Sequence, residues 1–282
     1  MTAHSTLQQR LLRGALVYAV LLVGGYLFFV NTPCGHWLDG EAYFGRQALN
    51  HRVERFDLHI LAVVSKAGLL LAAASLIIIG VARHCALVGA VAAAGFGCAV
   101  LGTEVLKDLL PWWPLLPGDA FLDSGLQADT YPSGHATTGT SFALSLLLLS
   151  PARWRPWLAV AAGGLSATFA TGVLFAGWHR PSDSLGALAW SGCCMTLAAL
   201  GAVRLRGQTK PARAHSGRAA LASAGLAVLS AGAMWTLAAT AAPAYPHADL
   251  PFLTLAALII ACAFALPAWY SWHLQAVDWT IG

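Results

Sequence analysis

Charged side chains are what this sequence has least of. Asp, Glu, Lys and Arg make up 10% of the 282 residues, against 58% hydrophobic residues. An ordinary soluble domain is about 25% charged. So little charge cannot coat a globule of 29.5 kDa, which excludes an ordinary soluble enzyme, a disordered chain and a coiled coil. A bundle that spans a bilayer is the expected class. The alternation of a membrane β-barrel strand is also missing, as is any internal repeat. The six cysteines, Cys34, Cys85, Cys98, Cys193, Cys194 and Cys262, show no metal-ligand spacing. Five of them fall in or beside apolar stretches, where cysteine packs as a small apolar residue, and no disulfide is assigned.

The places without charge are long. Charge-free stretches run over 14–38, 84–103, 130–152, 156–179, 184–203, 219–248 and 250–277, and 58–82 contains only Lys66. A helix needs about 20 apolar residues to cross the hydrocarbon at about 1.5 Å per residue. The expected fold is therefore all-α, a polytopic transmembrane bundle of eight helices. The first outer loop, about 31–57, is polar and mixed in charge and could hold a short amphipathic helix.

Threading eight spans sorts the few charges by side. Arg10, Arg13, Arg83, Arg153, Arg155, Arg204, Arg206, Lys210, Arg213 and Arg218 fall on one side with a single acid, Asp278. Most acids fall on the other, among them Asp39, Glu41, Asp108, Asp183 and Asp249. By the positive-inside rule both termini are expected in the cytoplasm. The net charge of +4 then reflects topology and contact with membrane lipids rather than nucleic acid, and no nucleic-acid partner is expected. The first apolar stretch follows Arg10 and Arg13 without a small-residue cleavage site and reads as a retained span. The basic connector 204–218 divides a six-helix core, 1–203, from a two-helix extension, 219–282.

Polar residues at helix ends are costly in a bundle and mark function. Three clusters fall on the outer face. Glu104 and Lys107 end the third span. Pro132, Ser133, Gly134 and His135 open the fourth. His179, Arg180, Pro181, Ser182 and Asp183 join the fifth to the sixth. A proline at the first helical position, a serine cap and a glycine that admits close approach make a helix start able to hold an anion. A histidine there can protonate a leaving oxygen. Asp183, four residues after His179, can hold one imidazole nitrogen and leave the other to attack. Lys107 offers a point charge for phosphate. Together these residues describe an acid and nucleophile acting on phosphate without a metal. Each has a structural reading too: a plain cap, a chance His-x-x-x-Asp, a lysine reaching the headgroups. Their common face and order argue for the functional one. Lys66, placed about eight residues into the second span, is expected to reach the outer surface or to pair with Glu104 or a substrate phosphate. Trp37, Trp112, Trp113 and Trp178 read as interface anchors.

Residues 104–186 resemble the type 2 phosphatidic acid phosphatase superfamily of membrane lipid phosphatases. The family pattern is Lys-x6-Arg-Pro, then Pro-Ser-Gly-His, then Ser-Arg-x5-His-x3-Asp. Pro132-Ser133-Gly134-His135 matches the second segment in full. Lys107 matches the start of the first, and His179 and Asp183 the end of the third. The resemblance implies a six-helix core, His179 as the nucleophile that forms a phosphohistidine, Asp183 as its orienting group and His135 as the general acid. It implies phosphoryl binding by Lys107, Ser133 and Gly134, with no cofactor and no metal. Two departures stand out. Pro114-Leu115 replace the Arg-Pro of the first segment, and Gly172-Val173 replace the Ser-Arg of the third. Arg180 is the expected substitute for the missing phosphate-binding arginines. The expected activity is hydrolysis of a phosphorylated lipid, a polyprenyl diphosphate or phosphatidate-type ester, at the outer face of a cytoplasmic or inner membrane. Two alternatives stay open: a lipid phosphotransferase using the same intermediate, and a catalytically weak lipid-binding or transport partner. Oligomeric state is left open.

Overall fold

A computed structural model describes residues 3–45, 61–111, 130–206, 225, 249–275 and 277–279. Among these residues the chain forms eight helices. They are α1 (Ala3–Asn31), α2 (Pro33–Gly45), α3 (Lys66–Ala82), α4 (Ala86–Leu109), α5 (Gly134–Leu149), α6 (Arg155–Phe175), α7 (Pro181–Arg206) and α8 (Asp249–His273). Five are long and apolar enough to cross a bilayer: Thr6–Asn31, Ala86–Leu109, Arg155–Phe175, Pro181–Arg206 and Leu250–His273. The protein is a polytopic helical membrane protein, as its charge shortage predicts. The α2 helix is the short helix expected in the first outer loop. Apart from Gly225, the span predicted over 219–248 lies outside the described residues, as do Trp112 and Trp113.

One helix boundary differs from expectation. The second span begins at Lys66, not near residue 58, because Ser65 accepts a hydrogen bond from Gly68 N at 3.1 Å and caps the helix there. Lys66 is therefore an exposed first-turn residue rather than a charge deep in a span. Glu104 pairs with Lys107 instead.

α1 runs along α7, α6 lies between α5 and α8, and α4 touches α3, α5 and α7. α5 sits inside this ring and is buried on nearly every side. With 16 residues it is about 24 Å long, shorter than the roughly 30 Å hydrocarbon layer. α5 is also lined with hydroxyls. Thr138, Ser141 and Ser145 each donate to the carbonyl four residues earlier, at 2.6–2.9 Å. That satisfies them internally and keeps their bulk small, so neighbouring helices approach closely. α3 and α4 meet even more tightly: a Cβ on Gly80 would stand 2.6 Å from Gly89 Cα. α8 packs on α6, α2 and α7, and its Ile259, Ala263 and Phe264 belong to the same apolar cluster as Leu144, Val173 and Met195.

The end of the bundle rich in arginine is stitched by those arginines. Arg83 Nη1 donates to Leu149 O at 2.6 Å, and Arg155, which is 1% exposed, donates to Leu147 O, Ser150 O, Leu274 O and Val277 O. Arg10 Nη2 reaches His273 O at 3.0 Å. The last carbonyls of a helix have no partner within it, and these guanidinium groups supply one for α5 and α8. Residues expected from their sign to set the topology thus also close helix ends. The histidine clusters sit at the opposite end.

Candidate functional site

The site is assembled where α4 ends, α5 begins and α6 hands over to α7. Ser133 caps α5 with extended backbone (φ −67°, ψ 123°), and its hydroxyl accepts from Ala136 N at 3.4 Å. Its own N–H donates to Asp183 O at 3.0 Å. The second motif segment is thereby tied to the third through the main chain. Gly134 follows at the point where α5 meets the end of α4. A Cβ built on it would lie 3.6 Å from Glu104 Oε1 and 3.9 Å from Lys107 Nζ. The Lys107 ammonium therefore stands over the first turn of α5. It is paired with Glu104 at 2.8 Å, three residues back on the same helix face, a spacing that brings side chains together. Glu104 is largely exposed, so this is a surface pair from which Lys107 can turn toward an anion.

The segment that carries His179 owes its position to the way α6 stops. Gly177 has φ 72°, a left-handed conformation that glycine takes without steric cost. Gly177 N donates to Leu174 O and Trp178 N to Val173 O, both at 3.0 Å. These two bonds form a Schellman motif, which ends α6 sharply and turns Trp178 and His179 back over the bundle. Pro181 then starts α7. His179 Nδ1 lies 3.1 Å from Asp183 Oδ2, and Arg180 N donates to the same oxygen at 3.0 Å. A carboxylate only accepts, so Nδ1 carries the proton and Nε2 keeps its free lone pair. Asp183 is 1% exposed and His179 8%. The His135 ring lies against Trp178, with centroids 5.2 Å apart, and within electrostatic range of both His179 and Lys107. His179, Asp183, His135, Lys107, Ser133 and Gly134 are thus brought to one place.

Arg180, the expected substitute for the missing arginines, is buried beside the same turn. Its side chain is 1% exposed, and Nη1 donates to Thr130 Oγ1 at 3.1 Å. Its charge acts on Asp39. Asp39 itself was not among the residues singled out from sequence. It lies on α2, is 2% exposed, and accepts from Ser182 N at 2.9 Å and from Ser182 Oγ at 2.6 Å. Burial, and then the neighbouring Asp183, push its carboxyl up to about 7, against the Ser182 bonds and Arg180, which pull it down. Nothing local marks Asp39, since its partner is 143 positions away. Trp178, expected as an interface anchor, is a neighbour of His135. Among the described residues no group of three or more His, Cys, Asp or Glu is placed to hold a metal ion.

The PAP2 superfamily model matches residues 83–206. This segment belongs to the PAP2 superfamily. The match assigns it to a superfamily of phosphoric ester hydrolases. No curated protein and no solved structure matches the chain. The PAP2 segment runs from Arg83, just before α4, to the end of α7, and so contains every expected site residue. The helices α1, α2, α3 and α8 lie outside it. Asp39, which bonds the first turn of α7, therefore reaches the PAP2 site from beyond the matched segment.

Proposed function

We propose that the protein is an integral membrane lipid phosphatase that hydrolyses a phosphate mono- or diphosphate ester of a lipid through a phosphohistidine. The observation that carries this reading is the buried His179–Asp183 pair, 3.1 Å apart, facing His135 and Lys107 across the start of α5. Asp183 keeps the proton on Nδ1, so that Nε2 attacks phosphorus. The P–O bond to the lipid breaks, and His135 delivers a proton to the departing oxygen. His135 then takes a proton from water, which attacks the phosphohistidine and frees phosphate. Lys107, the Ser133 hydroxyl and the Gly134 N–H hold the phosphoryl oxygens. N–H groups at the first turn of a helix are oriented toward an anion before it arrives. Arg180 contributes its charge from behind, where it offsets Asp39 and Asp183.

The lipid character of the substrate is supported by the surroundings. An apolar cavity of about 480 Å³ runs between α1, α7 and α8, lined by Leu21, Tyr131, Ser182, Leu188 and Trp269 among others. It touches the first turn of α7, so a hydrocarbon chain there lies close to a phosphate at His179. The positive-inside rule puts the termini and the arginine-rich end in the cytoplasm and the site at the outer face.

The test is phosphate release by the purified protein from a panel of phosphatidate and polyprenyl diphosphate substrates, with and without chelator. Wild type releases phosphate in both conditions and His179→Ala does not. No release from any lipid would sink the enzyme reading, and loss with chelator would sink the metal-free mechanism.

A further inference from the structure

We propose that Asp39 is a positioning residue for the His179–Asp183 pair, acting from α2 as the N-terminal cap that α7 lacks. A helix begins with N–H groups that have no partner within it, usually satisfied by Ser, Thr, Asp or Asn at the cap position. The residue before α7 is Arg180, whose side chain has donors and no acceptor. Pro181 has no N–H. The first orphan donor is therefore Ser182 N, and Asp39 Oδ1 accepts it at 2.9 Å while Oδ2 takes the Ser182 hydroxyl at 2.6 Å. The cap that sequence neighbours usually supply comes instead from a helix 143 residues earlier.

Ser182 adjoins Asp183 in the chain, so fixing its N–H and its hydroxyl fixes the turn that aims Asp183 at His179. α2 also holds the other end of the segment. Tyr43 donates its hydroxyl to Gly177 O at 3.1 Å, in the Schellman turn that carries Trp178 and His179. Residues 177–183 are thus gripped at both ends by one helix, and that helix rests on α8. The parts of the chain outside the PAP2 segment would then do more than anchor it. They would set the orientation of its nucleophile. The inference rests on the phosphohistidine reading for its effect on rate, but not for its effect on the imidazole.

The experiment uses the full-length protein in detergent, with a short-chain phosphatidate as probe and histidine labelled with ¹⁵N. In Asp39→Ala, kcat falls about tenfold or more with KM within about twofold, since a small misplacement of a reacting group costs rate rather than binding. Asp39→Asn keeps an acceptor for Ser182 N and recovers part of the rate. Ser182→Ala keeps the main-chain bond and loses less than Asp39→Ala. The double variant Asp39→Ala with Ser182→Ala is no slower than Asp39→Ala alone, because both act through one contact. The His179 imidazole, held as the Nδ1–H tautomer in the parent protein, becomes a mixture in Asp39→Ala. An unchanged imidazole spectrum overturns the proposal whatever the rate does, and so does an unchanged kcat in active protein. If even the parent releases no phosphate, the phosphatase reading fails. The imidazole spectra of Asp39→Ala and Asp39→Asn then still decide the positioning.

Discussion

Gly134→Ala separates the chemical role of the α5 start from its structural one. Gly134 has no left-handed backbone that would need a glycine, and a Cβ there would meet only Glu104 Oε1 at 3.6 Å and Lys107 Nζ at 3.9 Å among the described residues. These are ordinary contact distances, so the methyl group fits the empty site. Alanine also favours a helix over glycine by up to about 1 kcal/mol, less at a first position. Stability is therefore expected to stay level or rise slightly. The occupied site is different. The added methyl stands between the Lys107 ammonium and the first turn of α5, where a phosphoryl oxygen has to sit. Displacing that oxygen weakens one charge-assisted hydrogen bond, worth about 1.5–3 kcal/mol. At about 1.36 kcal/mol per decade this is roughly a ten- to hundredfold loss in kcat/KM. The assay pairs phosphate release with the thermal unfolding midpoint of the same preparation. An unchanged kcat/KM would refute the placement of phosphate over Gly134. A collapse of the midpoint would refute the claim that the glycine is there for the ligand.

Asp183→Asn leaves the 3.1 Å contact available but no longer selects the Nδ1–H tautomer, so kcat should fall by about 10² to 10⁴ with little change in KM; steady-state kinetics on folded protein check this. Gly80→Ala drives a Cβ to 2.6 Å from Gly89 Cα, where main chain cannot move aside as a side chain can, and is expected to cost about 1–3 kcal/mol. Gly164→Ala, with nothing within 4 Å of its Cβ, is the control that should not lose stability in the same unfolding assay. The Asp39 carboxyl, pushed up from 3.8 to about 7 by burial and then by Asp183, gives a pH signature. Between about 4 and 7 the folded protein keeps a proton that the unfolded chain has released, so this group's contribution to stability is present at the low end and is lost as pH rises through 7. The midpoint of wild type relative to Asp39→Asn should therefore fall across that window; parallel curves would rule the shift out.

Much of the protein was legible along the chain because its causes are local. Span length and the absence of charge depend only on composition, so the helical membrane fold and most of its helices could be read directly. Pro132-Ser133-Gly134-His135 carries its own cap and its own chemistry, and His179 and Asp183 are four residues apart on one turn. The boundary at Lys66 was misplaced because a cap at Ser65 outweighs an apolar run that continues before it. Arg180 was named from its place beside His179, but the direction of a side chain is a tertiary property, and only the structure shows its guanidinium group donating to Thr130. Asp39 was invisible for the same reason. A helix start that lacks a local cap can be noticed in sequence, but the acceptor that completes it is chosen by how α2 folds against α7. The candidate site residues are thus written in short motifs, whose spacing is itself the signal. The groups that aim them come from α2 and from the end of α6, where only packing brings distant polar atoms within hydrogen-bond reach.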